Sequence, residues 1–143
     1  MYVRWKRKQR KDIVRSERYE SESVPYPLYR QVREPAWLRA AVLVESRRVN
    51  GLPRQRTVAY LGSIRECYLT PDHPHGVLHR TYFWRAVEAK LGSLDLPAGE
   101  RARIVATLQT TVPHSSEEAF ARAIRELEAH IAAVSRMAGT RPA

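Results

Sequence analysis

An Asn-Gly pair at positions 50 and 51 stands between two runs rich in β-branched and aromatic residues, WLRAAVLVESRRV (37–49) and RQRTVAYL (54–61). Such a pair is the strongest short-range signal for an antiparallel hairpin, because both residues accept the positive φ of a tight turn between right-twisted strands. A hairpin over 37–61 is therefore expected, with two registers open. In a two-residue turn Val49 faces Leu52, Arg47 faces Arg54, Glu45 faces Arg56 and Leu43 faces Val58, and Pro53 falls inside a strand, where it needs an edge. In a four-residue NGLP loop Val49 faces Arg54 and Arg47 faces Arg56, and the proline removes no ladder donor. The second register is preferred. In either one arginine faces arginine near the tip, which disfavours an isolated sheet unless an anion lies between them.

The texture on either side of the hairpin differs. Residues 1–11, MYVRWKRKQRK, combine aromatic and β-branched residues with dense positive charge and read as a basic arm or an edge strand. Residues 12–36 mix charges, serines and Pro25, Pro27 and Pro35, and are read as a long loop. After Gly62 the stretch 65–78 has the composition of a connector. From His79 the apolar residues follow helical spacing, giving helices over about 79–91 and 97–110. A third is expected over 115–137, opened by a capping box of Ser115 and Glu118, with Phe120, Ile124, Leu127, Ile131 and Val134 along one face. GTRPA closes the chain as a frayed tail. The expected fold class is α+β: a small antiparallel hairpin or sheet in the N-terminal half, packed against a three-helix C-terminal part, with 37–143 as a single domain.

Charge divides the chain more sharply than hydropathy. The formal net charge is +10 over 143 residues, and residues 1–66 hold 16 Lys+Arg against 7 Asp+Glu, a net of +9. An anionic partner is expected to meet the first half, and nucleic acid is the default. No stretch approaches the roughly 18 apolar residues of a membrane-spanning helix, and the N-terminal charges are not followed by the apolar region of a secretory signal. A cytoplasmic location is expected.

Two groups of residues carry the binding expectation. Arg47, Arg48, Arg54 and Arg56 sit at one end of a two-stranded ribbon, a shape that a DNA major groove admits, and the guanidinium fork donates two hydrogen bonds to a phosphate. Arg4, Lys6, Arg7, Lys8, Arg10 and Lys11 form the arm, with Trp5 and Tyr2 placed to stack on exposed bases. Contact with about six phosphates would give log affinity a slope of about five against log salt. DNA is preferred to RNA, and an acidic protein surface is the other partner such a charge would suit.

Chemistry is less visible. Cys67 is the sole cysteine, which excludes an internal disulfide and a multi-cysteine zinc site. Asp72, His73, His75 and His79 match no standard ligand spacing, and no catalytic motif is present. The expectation is a protein with no enzymatic activity, cofactor or metal.

The residues Tyr2-Val3-Arg4, Leu43-Val44-Glu45-Ser46, Gly51, Arg54-Gln55-Arg56-Thr57-Val58 and Leu61-Gly62 resemble the N-terminal β region of bacterial insertion-sequence transposases of the DDE class. That resemblance covers about a quarter of the chain. It implies a DNA-contacting β region and an origin on a mobile element or phage. It does not imply transposition, since three helices are expected where that family continues into an RNase H-like catalytic domain. The expected function is a non-enzymatic nucleic-acid-binding protein of a mobile element, with the helices as core and as a dimer face. The alternative is a phage- or island-encoded inhibitor or accessory factor, for example an anti-defence protein, docking on a nucleic-acid-handling complex.

Overall fold

A computed structural model describes residues 1–139. Three strands, β1 (Tyr2–Tyr19), β2 (Leu28–Val49) and β3 (Leu52–Arg65), form one antiparallel sheet in the order β1-β2-β3. A short 3-10 turn (Glu66–Leu69) leads to α1 (Gly76–Ser93), α2 (Ala98–Gln109) and α3 (Glu117–Gly139). The chain is an α+β protein. Among the described residues no helix is long and apolar enough to cross a membrane.

The hairpin turn has two residues, not four. Asn50 and Gly51 adopt φ of 53° and 77°, both in the left-handed region of a type I′ turn. Val49 therefore faces Leu52, Arg48 faces Pro53, Arg47 faces Arg54 and Glu45 faces Arg56. In such a hairpin the pair beside the turn exchanges both hydrogen bonds and the next pair points its N–H groups outward. Pro53 lies in that next pair, on the open edge of β3, so its missing N–H removes no ladder bond. That is why the proline did not force the longer loop. Further down, the register shifts between Leu43 and Val44 and between Ala41 and Val42, so Leu43 meets Ala59 and not Val58.

Residues 12–36 are not a loop. Most of them continue β1 and begin β2, with Lys11 opposite Pro35, Glu17 opposite Arg30 and Tyr19 opposite Leu28, and only 20–27 form the turn. The prolines exclude helix, but both strands are edges here, and a proline on an edge is tolerated. Neither face of this ribbon is covered by a helix, so the apolar-polar alternation that marks a half-buried strand is missing from its sequence. The hairpin expected over 37–61 is thus the distal part of longer strands, and the basic arm is the first half of an edge strand.

The core sits where all three strands run together. Ala41, Leu43, Ala59, Leu61 and Ile64 from one face of the sheet pack against Phe83, Trp84, Val87 and Leu91 of α1, with Ile104 and Leu108 of α2 and Val112 behind them. A Cβ on Gly62 would lie 3.4 Å from the Phe83 ring, an ordinary contact distance, so this point of β3 lies directly against α1. The Trp84 indole donates to the Val112 carbonyl at 2.9 Å and stacks on His114, tying α1 to the loop before α3. The α3 cap is Ser116, one residue later than expected: its Oγ accepts from the Ala119 N–H at 3.1 Å. Phe120 meets Tyr82 edge-on and lies under Arg85, whereas Ile131 and Val134, expected on the buried stripe, are more than half exposed. The tail beyond residue 139 lies outside the described residues.

Candidate nucleic-acid interface

Because side chains alternate along a strand, the basic N-terminus is split between the two faces of the sheet. Arg4, Lys6, Lys8 and Arg10 point to the face away from the helices, opposite Val42, Ala40, Leu38 and Ala36 of β2. Cations two residues apart on a strand are spaced by about 6.6 Å, close to two nucleotide rises of about 3.4 Å each along the axis of a duplex. The floor beside this row is made of small residues. Ala40, Val42 and Val44 are buried, yet they lie outside the cluster packed on the helices. Arg4 reaches across β2 to Gln55 Oε1 of β3 (3.3 Å). Tyr2 and Tyr60 are exposed on the same face. Arg48 extends the positive face to the hairpin tip, and among the described residues Arg4, Lys6, Lys8 and Arg48 form no ion pair with a carboxylate. Arg10 does, with Asp12 at 3.1 Å.

The odd-numbered residues of the N-terminus go the other way. Trp5, expected to stack on bases, is half-buried and stacks on Phe83 with ring centroids 6.0 Å apart, so it belongs to the core. Arg7 makes two bonds to the Glu66 carboxylate, at 2.6 and 3.0 Å, and lies over the Trp37 ring at 3.9 Å. Its cross-strand neighbour Arg39 binds the same carboxylate at 3.0 Å. One glutamate thus relieves a like-charge pair that would otherwise oppose the pairing of β1 with β2. Lys11 lies on this same side, beyond the helices.

The two guanidinium groups, Arg7 first, hold the Glu66 carboxyl down at about 2 against an ordinary value of 4.5. A carboxyl whose pKa is lower folded than unfolded contributes stability that is present above the unfolded value and lost as pH falls towards the folded one. The stability advantage of the wild type over Glu66→Gln is therefore expected to shrink as the pH falls from 4.5 towards 2. Urea titrations at a series of pH values measure it, and high salt should narrow the gap throughout. A difference that stays flat across that window would remove Glu66 from the network.

At the hairpin tip Arg47 faces Arg54, and the anion that this arrangement calls for is partly internal: Glu45 pairs with Arg47 and with Arg56 at 3.7 Å. Arg54 and Arg48 point to opposite faces of the ribbon. The four tip arginines therefore do not form one surface. Arg48 joins the row of Arg4, Lys6 and Lys8, while Arg47 and Arg56 pair with Glu45 on the helix side, the side to which Arg54 also points. Sequence reasoning missed Arg15, Arg18, Arg30 and Arg33, which the β1–β2 ribbon carries, because the segment looked like a loop. It also missed Asp12, a buried carboxylate that binds Arg65 of β3 at 2.7 Å and pins the root of that ribbon to the body.

Of the histidine group, His79 stacks on Tyr68 at 3.8 Å and His73 meets the same ring edge-on. Burial lowers the His79 pKa, with His75 and Arg65 adding to the effect. Among the described residues no group of three His, Cys, Asp or Glu side chains is placed to hold a metal ion. No family model, curated protein or solved structure matches the chain.

Proposed function

We propose that the chain is a non-enzymatic nucleic-acid-binding protein of a mobile element, and that the helix-free face of its sheet lies along the phosphate backbone. The observation that carries this reading is the row Arg4, Lys6 and Lys8 with Arg48, spread over about 33 Å of an open face with no carboxylate partner among the described residues. Arg4, Lys6 and Lys8, kept unpaired while their sequence neighbour Arg7 is neutralised by Glu66 on the opposite face, are arranged for an external anion. The row is too extended for a small ligand and has the linear form of a nucleic-acid strand. The resemblance of the hairpin to the front region of transposases agrees with the same partner. DNA is favoured over RNA, since a major groove admits a two-stranded ribbon and the narrow major groove of an RNA helix does not.

Titration of labelled duplex DNA, single-stranded DNA, duplex RNA and poly-glutamate across a salt series tests the proposal. Duplex DNA is expected to bind most tightly, with log affinity falling against log salt at a slope of at least about four if Arg4, Lys6, Lys8 and Arg48 each meet a phosphate. Preference for poly-glutamate, or no binding to DNA at low salt, would replace nucleic acid by an acidic protein surface as the partner.

A further inference from the structure

The part of the β1–β2 ribbon beyond the body is an arm whose two faces differ in kind. It comprises residues 9–19 paired with 28–37, and at about 3.3 Å per residue it extends about 30 Å. Among the described residues Asp12, at the root, is its one buried side chain. A two-stranded ribbon standing alone is marginally stable in water, so an arm of this length needs either internal ion pairs or a partner. On one face it has the first. Arg15 binds Glu17 and Glu34 at 3.0 and 3.3 Å, Arg30 binds Glu17 at 2.9 Å, and Arg10 binds Asp12 at 3.1 Å. Three cations and three carboxylates close on one another there.

The other face has no such closure. It carries Lys11, Arg18 and Arg33, and among the described residues the only ion pair any of them makes is that of Arg18 with Glu20, 3.6 Å away at the turn end. The cross-strand neighbour of each cation is apolar or aromatic: Lys11 faces Pro35, Arg33 faces Ile13 and Arg18 faces Tyr29. Ile13 is 50% and Tyr29 65% exposed. Charge and apolar surface are thus both left open on one face, while the opposite face is neutral.

We infer that the Lys11, Arg18 and Arg33 face of this arm, with Ile13 and Tyr29, is a second nucleic-acid contact, built for a duplex DNA backbone. This rests on the nucleic-acid reading of the sheet. Lys11 and Arg18 lie about 23 Å apart along β1, which corresponds to the axial rise of roughly seven nucleotides of a duplex, and the paired opposite face supplies the stiffness to hold them in line. A second copy of the chain would bring a further net charge of +10 to this positive face, which disfavours it as the occupant.

The test compares two double variants of the full chain on a 30-base-pair duplex across a salt series: Lys11→Gln with Arg33→Gln on the open face, and Arg15→Gln with Arg30→Gln on the paired face. The first is expected to lower the salt slope by about two. The second removes the same charge from the same arm and is expected to leave the slope unchanged. Hydrogen exchange supplies a readout independent of substitution: in the wild type the amides of 9–19 and 28–37 should be slowed by the duplex. If the wild type binds DNA but the open-face variant keeps its slope and arm exchange is unaltered, the arm contact falls and the sheet reading stands. If the wild type binds no DNA, both fall. A wild-type dimer in sedimentation that the open-face variant abolishes, with no change in slope, would give the face to a second copy.

Discussion

Replacing Trp84 by Ala is expected to cost about 3–5 kcal/mol of folding stability, a large share of the roughly 5–15 kcal/mol available to a domain of this kind. Three contributions combine. The indole is 3% exposed at the centre of the cluster that joins the sheet to α1, so its removal leaves a cavity lined by Phe83 and its neighbours. The Val112 carbonyl loses a 2.9 Å donor and is left without that bond in a buried place. His114 loses the ring it stacks on at 3.6 Å. Trp84→Phe separates these contributions, because it keeps most of the apolar area while removing the N–H, and about 1 kcal/mol is expected from the missing hydrogen bond. Urea unfolding followed by far-ultraviolet circular dichroism measures both variants without relying on the fluorophore that has been removed. A loss below about 1 kcal/mol for Trp84→Ala would mean that α1 is not the main support of the sheet.

Changing Arg4, Lys6 and Lys8 together to Gln should weaken duplex binding on the order of 10²-fold at 0.1 M salt and lower the salt slope by about three, one phosphate contact being lost per cation. Stability should hardly move, since none of the three makes an ion pair with a carboxylate among the described residues and exposed polar substitutions usually stay within about 0.5 kcal/mol. Arg7 is the matched opposite. It lies between Lys6 and Lys8 in sequence but is bound to Glu66 and covers Trp37. Arg7→Gln should therefore lower stability and leave the slope close to that of the wild type. Equal effects of Arg7 and of its neighbours on binding would show that the N-terminus acts as a diffuse charge and not as an ordered face.

The contrast between Arg7 and Lys8 shows how far the residues themselves could be read. The presence of a hairpin at Asn50-Gly51, the helix positions and the division of charge between the halves of the chain were legible, because each depends on local chemistry. Asn50 and Gly51 accept positive φ, apolar residues after His79 recur at helical spacing, and charge can be counted. The choice between the two hairpin registers was misjudged because the cost of Pro53 depends on which side of the strand is open. The β1–β2 arm was invisible for a related reason. Its strands are held by cross-strand ion pairs such as Arg15 with Glu34 and Arg30 with Glu17, and a ribbon with no buried face leaves no hydrophobic period.

What the sequence determined by itself is that a positively charged antiparallel hairpin precedes three helices. What only the tertiary structure decided is which of those charges remain available. Strand pairing puts Trp5 against Phe83 and Arg7 against Glu66, on the face that the helices cover, and leaves Arg4, Lys6 and Lys8 on the face they do not. The physical reason is that a one-residue step along a strand moves a side chain to the opposite face. Partners distant in sequence then determine whether a charge is neutralised within the fold or kept for another molecule.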